Sequence, residues 1–166
     1  MKKTHNAGNI YNKNHKSTGI FFIEDVKKNG SITSKIKDNN TLLVNIEPNS
    51  ISEPVLVHVE ITASTLSNYF SDTAFINRSG IDTLSLIPKS SLTLTDNLAI
   101  ANVKKIDAWD KIFTTYSNNE KWANTESLEN QFACHYDFAK KKDSWNLEPY
   151  RPNVGYFATV LAACNP

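Results

Sequence analysis

The chain has 166 residues, enough for one domain of ordinary size, or a small domain with an appended sheet, and enough to bury a core without a metal. Its 18 Lys plus Arg nearly balance 17 Asp plus Glu, and a net charge of +1 leaves no basic stripe for general nucleic-acid binding and no polybasic attraction to anionic lipid. No apolar run approaches the ~20 residues of a membrane-spanning helix.

Met1-Lys2-Lys3 has the opening of a signal peptide, but Thr4 to Lys16 are polar and Asn-rich, with no apolar stretch to follow it. That reads either as a cytosolic chain or as a mature exported form. Residues 1–18 hold almost no apolar side chains and are expected to be a flexible leader. From residue 19 to 67 the pattern is β. Ile20 to Ile23 is a short apolar run, Asn29-Gly30 carries a hairpin signal, and Ile32 and Ile36 share one face of the next strand. Asn39-Asn40 makes a turn into a strand over Thr41 to Glu47. Val55, Val57, Val59 and Ile61 alternate with Leu56, His58 and Glu60, which predicts a strand with two distinct faces.

Residues 68–166 are expected to form a C-terminal α+β domain. Thr73 to Asn77 and Ile81 to Ile87 are strands joined by Arg78-Ser79-Gly80, and Pro88 ends the pair. The period then changes: Ile106, Trp109, Ile112, Phe113 and Tyr116 recur at three and four residues, an amphipathic helix. A second helix starts near Asn124 or Thr125, carries Leu128, Phe132, His135 and Ala139 on one stripe, and ends at Lys140-Lys141-Lys142. Pro149 and Pro152 make Trp145 to Pro152 a loop, and Val154, Phe157, Leu161 and Cys164 favour a last helix over Asn153 to Cys164, with a strand as the alternative. The class is therefore α+β, with N-terminal antiparallel strands followed by two or three helices.

Two well-separated cysteines fit one disulfide better than a redox or zinc motif, and favour an oxidising compartment. Two buried free thiols remain an alternative. So does Cys134 as a nucleophile with His135 as its base, although neighbours on a helix point about 100° apart. No Cys or His pair has zinc-ligand spacing, and no motif calls for a cofactor.

The tail Trp145-Asn146-Leu147-Glu148-Pro149-Tyr150-Arg151-Pro152-Asn153-Val154, closing with Cys164-Asn165-Pro166, resembles an exported bacterial family catalogued as domain of unknown function 2599. Phe75 to Gly80 with Leu84-Ser85-Leu86, Trp109, Trp122, and Gln131 through Ala139 are similar to the same family. The resemblance covers roughly residues 68 to 166. It implies export and a paired Cys134 and Cys164, and it implies no reaction.

His135, Asp137, Glu148 and Arg151 are the candidates for a catalytic site, with His135 as a general acid or base near neutrality. Trp145, Tyr150 and Arg151 are the candidates for a binding surface, two flat rings beside a cation. The structural reading makes His135 a core residue and has Arg151 locking the loop onto a carboxylate such as Asp137. Function then divides between an extracellular module binding a protein or carbohydrate, a secreted effector or antibacterial toxin with a hydrolytic site, and an inhibitor or immunity-type protein. Accessibility separates the first two. An enzyme needs His135 and Glu148 converging on an open cleft, whereas a module buries them and exposes an aromatic patch.

Overall fold

Among the described residues of the first five strands, the large apolar side chains that are buried are Ile20, Ile23 and Ile32. The computed structural model describes residues 6–25, 27, 29–38, 41–95 and 97–166. β1 (Asn6–Tyr11), β2 (Ser17–Asp25) and β5 (Val57–Ala63) form a three-stranded sheet in the order β1-β2-β5, while β3 (Gly30–Asp38) and β4 (Thr41–Pro48) form a separate hairpin. The chain divides into two units, one taking the described residues up to Ser64 and those of 96–104, the other Thr65–Thr95 and Lys105–Pro166.

Residues 1–5 of the expected leader lie outside the described residues; over residues 6–18 that reading is corrected by β1. Its sequence is polar, but Ala7, Gly8 and Asn9 pair with Phe22, Phe21 and Ile20, and the Asn9 amide donates to the Val103 carbonyl (2.9 Å). A strand held by its ladder and a side-chain amide gives no hydropathy signal. A Cβ on Gly8 would lie 2.4 Å from the Phe21 ring, so a larger residue there would have to push that ring aside. The hairpin expected at Asn29-Gly30 is also corrected. β2 pairs with β1 and β5, Gly30 opens β3, and Gly30 stands opposite Pro48. Val26 and Lys28 of that signal, the turn at Asn39-Asn40 and the Ile36 side chain lie outside the described residues.

In the second unit α1 (Leu66–Tyr69) leads into β6 (Phe70–Arg78) and β7 (Ile81–Pro88), joined by a two-residue turn. Ser79 and Gly80 have φ of 52° and 89°, the left-handed pair that matches strand twist in a tight hairpin. α2 (Ser90–Thr93) follows, then α3 (Leu98–Tyr116), whose residues from Lys105 onward belong to this unit, and α4 (Thr125–Phe138). Trp145–Leu147, read as loop because of the prolines that follow, forms β8 against β7, with Trp145 opposite Leu86 and Leu147 opposite Leu84. The prolines act only after Leu147.

α5 spans Tyr156–Leu161, shorter at both ends than the expected helix. It closes with the Ala163 N–H on the Val160 carbonyl (3.0 Å) and the Cys164 N–H on the Thr159 carbonyl (2.9 Å). This is a Schellman ending in which Ala163 (φ 55°) takes the left-handed position glycine usually fills. With no glycine in place, the sequence carried no stop signal.

The core of this unit gathers Leu84, Leu86, Ile112, Leu128, Phe132, Trp145 and Leu147, all at most 1% exposed. Trp109 stacks on Phe132 at 5.7 Å and meets Trp122 at 6.0 Å, so both tryptophans are packing residues. Asp107 is fully buried and accepts from the Tyr69 hydroxyl (2.6 Å), with the Lys111 ammonium 3.5 Å away.

Candidate functional site

α4 holds the loop after β8 through a row of polar side chains one helical turn apart. Gln131, fully buried, accepts from the Glu148 N–H (2.8 Å) and donates to the Glu148 carbonyl (3.2 Å), acting as a substitute strand partner. Asn124 donates to the Pro149 carbonyl (2.8 Å) and Ser127 to the Pro152 carbonyl (3.2 Å). Asn153 donates to Glu126 (2.6 Å). Sequence reasoning named Asn124 only as a helix start and Gln131 only within the family resemblance, and gave neither these nor Ser127 a part in holding the loop. Their spacing of three and four was a usable signal, since a polar stripe on a helix needs partners when it is covered.

With its backbone pinned, the loop turns Glu148 inward. Glu148 accepts from Arg151 Nε and from the Tyr150 hydroxyl (3.2 Å), and Arg151 Nη1 donates to the Pro166 carbonyl. Burial pushes the Glu148 pKa upward, but the Arg151 hydrogen bond and charge, helped by Asn165 and Tyr150, outweigh it and hold the carboxyl below its ordinary value. Arg151 also lies 5.1 Å over the Tyr150 ring. The expected partner of Arg151 is thus corrected from Asp137 to Glu148, three residues away on the same loop.

His135 is 3% exposed and stacks on Trp145, ring centroids 6.3 Å apart and planes 7° off parallel. Neither ring nitrogen reaches a partner at hydrogen-bonding geometry. Burial, then the Lys142 charge, pushes its pKa down to about 4, against the Asn146 backbone, the Asn165 side chain and Glu148, which favour the charged ring. A neutral, shielded imidazole of that kind is a poor proton carrier near neutrality.

Asp137 stands apart from this group. It accepts from Lys105 Nζ and the Tyr156 hydroxyl, both at 2.6 Å. Burial and the Asp137 carboxylate push Tyr156 up to about 12, and the same two causes act on Tyr136. Trp145 is fully buried, edge-on to Phe70, Phe132 and Tyr136, so of the two proposed ring surfaces only Tyr150, 53% exposed, faces solvent. Among the described residues no three His, Cys, Asp or Glu side chains are placed to hold a metal ion. Nor is any helix among them long and apolar enough to cross a membrane.

Cys134 and Cys164 form a disulfide across 30 residues, Cα atoms 5.3 Å apart, and both are buried. It joins α4 to the end of α5. Outside it, Phe157 and Leu161 are 84% and 89% exposed, one turn apart on α5.

Fold and site together define a disulfide-closed α+β unit whose loop charges are spent on its own chain. Residues 71–166 match the family described as protein of unknown function (DUF2599), and the chain belongs to that family. Uncharacterized proteins of Mycobacterium bovis and of two strains of Mycobacterium tuberculosis are each 42% identical to it over 48 residues, 26% of this chain and 32% of the relative. The chain therefore spans about a third of the length of the curated relatives it matches. No solved structure matches it.

Proposed function

We propose that the second unit is an interaction module of an exported protein, and that it docks a protein partner outside the cytoplasm through α5. The observation that carries this reading is the exposure of Phe157 and Leu161, 84% and 89%, on one face of a helix fastened by a disulfide. Large apolar side chains held rigidly in water cost solubility and gain affinity when a partner covers them. The buried disulfide supports an oxidising compartment. The burial of His135 and the internal pairing of Glu148 with Arg151 weigh against a hydrolytic site built from His135, Asp137, Glu148 and Arg151.

A photo-crosslinking phenylalanine analogue in place of Phe157, with Glu120 replaced in the same way as control, tests the docking face in cells that export the protein. A discrete protein adduct from position 157 is expected, absent from position 120 and lost when Leu161→Ser is added. His135→Phe should leave the adduct in place. No adduct from position 157, or equal adducts from both positions, would exclude α5 as the docking face.

A further inference from the structure

β5 is an edge strand: among the described strands it pairs only with β2. The Ser64 N–H donates to the Thr18 carbonyl (3.2 Å), one step beyond the Gly19–Ala63 pair, and this fixes the phase of the ladder. His58, Glu60 and Thr62 turn their main-chain groups toward β2, while Val57, Val59 and Ile61 turn theirs to the open side. Val59 and Ile61 are also 53% and 70% exposed as side chains. An apolar edge with free donors and acceptors is a template for another strand.

We propose that the strand it takes is β5 of a second copy of this chain, antiparallel, with the two-fold axis at Val59. The reason is self-complementarity. In that register Val59 meets Val59 of the second copy and Val57 meets Ile61, each such pair exchanging both main-chain hydrogen bonds. His58 then stands opposite Glu60 of the second copy in the closer, non-hydrogen-bonded kind of pair, Cα atoms about 4.5 Å apart. Moving the axis to Glu60 keeps the phase but sets Glu60 against Glu60, and moving it to His58 sets His58 against His58. Only the Val59 axis joins opposite polar types and apolar residues together. Within one copy His58 Nδ1 already lies 3.5 Å from Glu24, and Glu60 accepts from Thr62 (3.1 Å) with Lys104 nearby, so both groups are oriented before pairing. The result doubles the three-stranded sheet and covers its β5 edge. It rests on the first unit and is independent of the docking role given to α5.

Analytical ultracentrifugation of the full chain tests this, with the variants' folding checked by thermal melts. Wild type should show a concentration-dependent monomer–dimer equilibrium. Val59→Lys, which sets like charges on the axis, should be monomeric at every concentration where wild type dimerises. Glu60→Lys should weaken the dimer, and adding His58→Glu, which reverses the pair, should restore it. Val59→Cys should give a covalent dimer on mild oxidation, because facing strand residues lie within disulfide range. A wild type that stays monomeric overturns the proposal. So does a dimer that survives Val59→Lys and fails to crosslink through Val59→Cys; if Val59→Lys does not fold, the crosslink decides.

Discussion

Arg151 reaches two acceptors with one guanidinium, the Glu148 carboxylate and the Pro166 carbonyl, and so ties the loop to the segment beyond the disulfide. Arg151→Ala leaves a carboxylate with little access to water and should lower stability by about 2–4 kcal/mol, since breaking such a pair costs more than the pair contributes. Arg151→Lys should recover only part, because an ammonium lacks the planar fork. Urea denaturation of both variants measures this, and unchanged stability in Arg151→Ala would end the latch role. His135 acts on stability through pH. Its pKa is about 4 in the fold against an ordinary 6.5, so between those values the unfolded chain binds a proton that the native chain refuses. The contribution is therefore complete above about pH 6.5 and falls away as pH drops toward 4, on the order of 3 kcal/mol in all. His135→Phe keeps a ring against Trp145 and should flatten that part of the profile. Equal acid sensitivity in wild type and variant, compared by urea midpoints from about pH 7 to 4.5, would assign the effect to other groups.

α5 is the element least able to hold itself. A helix of 6 residues has no stability of its own, and Thr159 is its one buried residue. Its place depends on the disulfide and on Tyr156 bonding Asp137. Replacing both cysteines by serine should cost about 3–4 kcal/mol through the freed chain, roughly 10 °C in melting temperature. Hydrogen exchange should then show fast amides in α5 while the β6–β7 pair stays protected. Loss of protection throughout the unit would mean that the bond is needed for the core as well. Two of the edge strands, β6 and β5, differ in a related way. At β6 the Tyr116 hydroxyl occupies the Thr73 carbonyl (2.8 Å) and Asp72 takes the Thr73 N–H (2.9 Å), so that edge is blunted, whereas among the described residues none guards β5 in this way.

At the scale of the molecule, what the sequence revealed tracks how each part is held together. α4 buries Leu128 and Phe132, the Lys105–Tyr116 stretch of α3 buries Ile112 while Ile106 of the same stripe stays exposed, and the β6–β7 hairpin has a left-handed pair at Ser79-Gly80; all could be read from periodicity and turn chemistry. β1 could not, because its polar residues are held by the ladder and Asn9. The inward fold of Glu148 was half legible. The prolines promised a rigid loop, but its anchor is the Gln131 amide, whose role exists only once β8 brings the loop to α4. The buried bond between Cys134 and Cys164 has one more effect. Lys141 and Lys142 lie exposed between the two cysteines, in the turn after α4. A protease that cuts there separates the chain into two pieces by sequence but not by covalent structure. The nicked protein would keep α5 in place and travel as one molecule until a reductant parts it.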